Sequence, residues 1–147
     1  GEMTGSTPAY ARTTGQPAPS SDGAFVRTCL ESLAMAYREV LESVATLTGE
    51  KIQTLHILGG GGQNRLLNQM AADATGCKVV TGPVEATAIG NLLVQAAGLG
   101  RVQGLAGIRA IVRDSFPLET FQPKDRGPWQ EAWKRFQGLR QAGGKKP

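Results

Sequence analysis

At 147 residues the chain is long enough for one domain with its own core and short for two. Hydrophobic residues make up 40% and aromatics only 5%, so the core must be mostly aliphatic side chains and alanine, and no apolar run approaches the ~20 residues that span a bilayer. The net charge of +4 is unevenly spread, with 6 basic and 8 acidic groups in residues 1–100 against 10 and 4 in residues 101–147.

Residues 1–23 lack the charged and apolar regions of a signal peptide, which predicts a soluble, cytoplasmic protein. They are rich in Gly, Ser, Thr and Pro without a hydrophobic period, and read as an extended connection. A strong helix follows, with Asp22 as its N-cap. Its seam is Val26, Leu30, Leu33, Tyr37, Val40, Val44 and Leu47, spaced by alternating fours and threes, which places one continuous apolar stripe on one face. Gly49 supplies the left-handed cap that ends it.

Thr54 to Leu58 is a short strand that stops at four glycines, Gly59 to Gly62. A helix over about 64–75 buries Leu66, Leu67, Met70, Ala71 and Ala74, and Gly76 closes it. Lys78 to Val80 is a second strand, and Gly82-Pro83 turns the chain into a helix over about 85–99. Small residues at Ala86, Gly90 and Ala97 suit close approach of a neighbouring backbone, since glycine inside a helix costs about 1 kcal/mol. A further helix over 105–113 points Leu105, Ile108, Ile111 and Val112 inward, and a last one starts at Pro128 and packs Trp129, Trp133 and Phe136. The basic C-terminal third has no basic run longer than two and no spaced array of aromatic and basic groups. It reads as a solvated surface, with neither nucleic acid nor membrane as partner.

The order helix, strand, helix, strand, helix describes an α/β unit with right-handed crossovers. Two strands make a poor sheet for three long amphipathic helices, which implies further strands upstream. An exposed sheet edge also leaves room for a homo-oligomer.

Chemistry-bearing residues are sparse. Cys29 and Cys77 lie in regular apolar patterns without CxxC spacing, so neither a disulfide framework nor a zinc site is expected. His56, the one histidine, sits between Leu55 and Ile57 as a strand residue. Residues 55–64, Leu-His-Ile-Leu-Gly-Gly-Gly-Gly-Gln-Asn, run from strand to helix across a loop where no Cβ keeps a ligand from the backbone. The helix beyond offers unpaired N–H groups and a positive dipole end. No Gly-Lys-Ser/Thr follows, so this is no Walker A loop, and Asn64 replaces the third glycine of a dinucleotide fingerprint. The loop alone allows either a nucleotide site or a tight turn for close packing.

Longer segments narrow the choice. Gly59-Gly60-Gly61-Gly62-Gln63-Asn64 fits the pattern Gly-Gly-Gly-x-x-Asn, and Glu85-Ala86-Thr87-Ala88-Ile89-Gly90 fits Glu-x-x-Ala-x-Gly. Together they resemble the C-terminal domain of the FGGY carbohydrate kinases. Thr14 to Pro17, Ser32 to Ala34 with Tyr37-Arg38, Gly61 to Gln69, Ala72 to Gly76 and Gly82 to Asn91 are similar to the subfamily that acts on L-rhamnulose, and the resemblance runs from about residue 8 to 136. It implies part of an actin-like ATPase lobe of ribonuclease H type, with 1–23 as a connection, 24–116 as the nucleotide-binding core, and 117–147 as a helical extension with a basic tail. It implies ATP and Mg²⁺ as cofactors, and transfer of the γ-phosphoryl group to a sugar hydroxyl, with Mg²⁺ neutralising charge and an Asp acting as base. Xylulose and fuculose are alternative ketoses, and a non-catalytic binding module is an alternative role.

By the same resemblance, the backbone at Gly60 and the side chain of Asn64 border the adenine, and Gly59, Gly61, Gly62 and Gln63 shape that wall. From its position alone, Asn64 is equally a helix cap. Glu85 is a first-turn carboxylate favoured by the helix dipole. Asp73 and Asp114 match no family base, and the chain shows no catalytic or metal-binding residue. Sugar pocket, base and phosphate hairpins belong, in the resemblance, to parts of the kinase outside these residues, so the chain alone is expected to be inactive.

Overall fold

The computed structural model describes residues 3–143. Residues 1–2 of the expected connection and 144–147 of the expected basic tail lie outside the described residues.

The first element departs from the sequence expectation. Met3–Thr13 is a helix, α1, with Pro8 inside it, where an extended connection was expected. It has no apolar stripe to announce it; among its described side chains only Ala11 is buried. The chain then crosses to α2, Asp22–Thr48. The N-cap is Ser21, one residue before the expected Asp22: its Oγ accepts from the Ala24 N–H at 3.2 Å, while Asp22 occupies the first turn. Gly49 closes the helix in the left-handed conformation at φ 73°, as its position predicts.

Three short strands make the sheet, in the order β1 (Thr54–Ile57), β2 (Lys78–Thr81), β3 (Thr120–Phe121). β1 pairs β2 in parallel, from Thr54 opposite Lys78 to Ile57 opposite Thr81, with α3 (Arg65–Thr75) as the crossover. β3 pairs β2 antiparallel, with Phe121 opposite Val79. This third strand lies in the 117–147 segment, where only a helix from Pro128 was expected, and the sheet's edges are β1 and β3. α4 (Ala86–Gly98), α5 (Gly104–Ser115) and α6 (Gly127–Gly143) complete the fold; α2 and α6 pack on α3, and α5 packs on α4.

α3 is the central element. On its sheet side Ala71 and Ala72 meet Ile57, Val79 and Phe121; towards α2, Leu67, Met70 and Ala74 surround Ala34. Tyr37 borders both groups, and Trp129 of α6 closes the second. Alanines at these contacts let helix and sheet backbones approach, and Val79, with none of its surface left in water, contributes about 1.5–3 kcal/mol by burial. Trp133 is buried against Phe136, with ring centroids 5.5 Å apart, and carries the Arg38 guanidinium 4.7 Å above its ring.

Of the seven α2 seam residues two are covered and five, Val44 among them, are exposed. Leu30 and Tyr37 face the core, but the packed face continues through Ala34 and Met35. Val26, Leu33, Val40 and Leu47, seven residues apart, look outward, and Leu47 is 86% exposed. Leu66, Leu105 and Ile111 were also expected inside and are exposed. Gly90 has no neighbour within 4 Å of where a Cβ would sit, so the expected close approach of a backbone is not made.

Candidate functional site

The glycine segment leaves β1 at Ile57 and forms a single 3-10 turn over Gly59–Gln63 before α3 begins. Gly59 enters it at φ 74°, a left-handed conformation that costs a side-chain-bearing residue about 1–2 kcal/mol. Its N–H donates to the Pro83 carbonyl at 3.2 Å, and the Gly82 N–H donates to the Ile57 carbonyl at 2.9 Å. These two bonds tie the turn to the end of β2. A Cβ on Gly62 would lie 3.1 Å from the Ile57 carbonyl oxygen and 3.4 Å from Thr81 Cβ, so this side is closed.

The opposite side is open. Gly60 has nothing within 4 Å of a Cβ position, Gly61 has only ordinary contact with Ile57 Cγ2 at 3.7 Å, and neither has a positive φ. The fold therefore demands glycine at 59 and 62 but not at 60 or 61. Gly60, Gly61, Gln63 and Asn64 are all exposed. The turn is a ledge of bare backbone, not a loop packed shut.

Asn64 ends the turn and caps α3: its Oδ1 accepts from the Leu67 N–H at 3.0 Å. The cap engages the amide oxygen and leaves the Nδ2 hydrogens without a partner among the described residues. Gln63 is exposed and makes no side-chain hydrogen bond among the described residues. The structure thus brings residues 59–64 together as one continuous surface.

One participant escaped the sequence reading. Asn68, one helical turn after Asn64, is fully buried, and its Nδ2 donates to the Gly62 carbonyl at 2.8 Å. The signal was present: a polar residue four positions after the cap, amid Leu67, Met70 and Ala71 on the buried face of α3.

Other candidates lie apart. Glu85 is the N-cap of α4, not a first-turn residue, and its side chain makes no cap hydrogen bond. Asp73 is structural: its Oδ1 accepts from the Lys124 N–H at 2.6 Å and from Gln69 Nε2 at 3.0 Å. Asp114 pairs with its neighbour Arg113 on the surface. His56 is an exposed strand residue, Cys29 is half-buried, and Cys77 is buried with its Sγ donating to the Ile52 carbonyl at 3.1 Å. No group of three or more His, Cys, Asp or Glu capable of holding a metal occurs among the described residues, and no described helix is long and apolar enough to cross a membrane. A cavity of about 510 Å³ lies elsewhere, between α1, α2 and α6, lined by Tyr10, Met35 and Phe136 among others and by none of residues 59–64.

Residues 3–99 match the model of the C-terminal domain of the FGGY family of carbohydrate kinases. The chain belongs to that family. Among curated FGGY relatives, the rhamnulokinase of Bacteroides thetaiotaomicron is 49% identical over 127 residues, which cover 86% of this chain and 26% of the relative. The rhamnulokinase of Pectobacterium atrosepticum is 42% identical over 132 residues, covering 90% and 27%. That of Yersinia pestis is 44% identical over 125 residues, covering 85% and 26%. The chain thus spans about a quarter of the length of the curated relatives it matches.

Proposed function

We propose that this chain is the adenine-nucleotide-binding part of a cytoplasmic, ATP-dependent kinase that converts L-rhamnulose to L-rhamnulose 1-phosphate. The observation that carries the reading is the ledge at Gly60 and Gly61, two glycines that the protein's own packing does not require. Bare backbone there lets a flat, largely apolar ring lie against the turn, which a Cβ on either residue would hold away. Gly59 and Gly62 give the ledge its shape, Asn64 offers its Nδ2 hydrogens to a ring nitrogen, and Gln63 covers the edge. The names of the relatives supply the sugar, and the family supplies phosphoryl transfer from ATP.

In this reading the α/β core is part of an actin-like lobe of ribonuclease H type. Mg²⁺ and the sugar are held by other parts of the kinase, and Mg²⁺ would neutralise charge on the phosphates when bound. The residues here hold and orient the purine, and contribute no base.

The test is titration of the chain with the fluorescent nucleotide mant-ADP. Saturable binding, displaced by ATP and weakened in Gly60→Val, supports the reading. No binding at millimolar nucleotide would sink it. Sugar preference is read separately by ADP release from a full-length enzyme carrying this sequence, offered L-rhamnulose, xylulose and fuculose. Turnover of L-rhamnulose well above the other two is expected, and none from the 147-residue chain alone.

A further inference from the structure

Asn68 is the most conspicuous polar group inside the protein. No surface of the residue reaches water, yet it sits on the apolar face of α3 between Leu67 and Met70. A buried amide without partners is costly, and most buried polar groups are satisfied. Its Nδ2 is satisfied by a single acceptor, the Gly62 carbonyl at 2.8 Å, six residues back in the chain. Its Oδ1 is buried with no partner. The helix thus gives up an apolar contact and leaves an acceptor unpaired to hold one carbonyl of the glycine turn.

That carbonyl is where the turn most needs holding. Four successive glycines have more backbone freedom than any other tetrapeptide, and only the packed side of this one is constrained. The Gly59 N–H is tied to Pro83, and Gly62 is wedged between Ile57 and Thr81. Between these anchors, the space beside Gly60 is open, and Gly61 has only Ile57 Cγ2 within 4 Å of a Cβ position, with its carbonyl accepting from the Asn64 N–H at 3.4 Å. Asn68 secures the downstream anchor from below, as Asn64, one turn earlier on α3, secures the helix start.

We propose that Asn68 is a positioning residue for the purine ledge: it never touches the nucleotide, but holds the turn in the shape that presents Gly60 and Gly61. This rests on the nucleotide reading above. A turn that samples other shapes lowers the fraction of binding-competent molecules, and apparent affinity falls in proportion. One neutral hydrogen bond governs the shift, so removing it weakens binding by about three- to tenfold.

The experiment compares the chain with Asn68→Leu, which fills the volume, and Asn68→Ser, which is too short to reach Gly62. Two readouts are taken: the mant-ADP dissociation constant, and the backbone amide resonances of Gly60, Gly61 and Gly62, with the Trp133 indole resonance as a marker of intact folding. Expected are a three- to tenfold weaker nucleotide and shifted or broadened glycine signals in a variant whose Trp133 signal stays put. Unmoved glycine signals with unchanged affinity would overturn the proposal. Glycine signals that move in a chain whose wild type binds no nucleotide would overturn the purine reading and leave Asn68 as the anchor of the turn. Should neither variant fold, the wild type decides: Asn68 side-chain amide protons protected from exchange support the anchor, and protons exchanging as fast as an exposed amide overturn it.

Discussion

Replacing Asn64 with alanine, serine or aspartate separates two jobs that one side chain performs. Its Oδ1 caps α3 through the Leu67 N–H at 3.0 Å, and in the proposed site its Nδ2 hydrogens bind the purine. Alanine removes both; the lost cap costs about 0.5–2 kcal/mol, which in a chain of this size lowers the melting temperature by a few degrees, at about 2–4 °C per kcal/mol. Serine and aspartate are caps of similar quality, and aspartate adds about 0.3–1 kcal/mol from the helix dipole, so neither lowers stability. Both lack the amide hydrogens. If those hydrogens bind a purine nitrogen, affinity for mant-ADP falls by the worth of one neutral hydrogen bond, about 0.5–1.5 kcal/mol, in all three variants. The assay pairs thermal melts with nucleotide titration. The decisive pattern is a serine variant as stable as wild type that binds several times more weakly. A serine variant with full affinity would refute the reasoning, because Asn64 would then be a cap and nothing more.

Gly76→Ala should lower stability by about 1–2 kcal/mol on thermal melts, since φ is 71°, while the exposed Arg126 guanidinium, 2.5 Å from the new Cβ, can swing aside. Trp133→Ala should cost about 3–5 kcal/mol by denaturant unfolding, and should release Arg38 from its seat over the ring. Leu47→Lys should change the stability of this chain by no more than about 0.5 kcal/mol, because the side chain is 86% exposed; a loss of 2 kcal/mol, roughly that of a core leucine, would mean that the α2 stripe is covered after all.

The parts of the fold that the sequence made legible are those where one residue type answers a local demand. Gly49 and Gly76 had to end their helices, and the glycine turn had to fall between a strand and a helix, because each position needs a backbone that others reach at a cost. What stayed hidden depended on partners. Periodicity told which residues of α2 share a stripe but not how much of it is covered, and Val26, Leu33, Val40, Val44 and Leu47 on that stripe lie exposed. β3 is two residues long, too short for any alternation, and exists because β2 offers it an edge. α1 has a proline and no apolar stripe, and only its tertiary setting shows it as a helix. At the site, the ledge was readable from its glycines, and Asn68 was legible as a polar residue on the apolar face of α3, but its bond to a carbonyl six residues back depends on the shape of the turn and not on spacing.

The late strand also bears on where this unit can be cut. The stretch that matches the family ends at residue 99, yet the far side of β2 is occupied by Thr120 and Phe121, and Trp129 of α6 packs on the core between α2 and α3. Trimming to the family boundary would strip β2 of a neighbour and strand its amide groups in water or against another molecule. An expression clone that keeps β2 paired on both sides and the Trp129 contact should therefore run through α6.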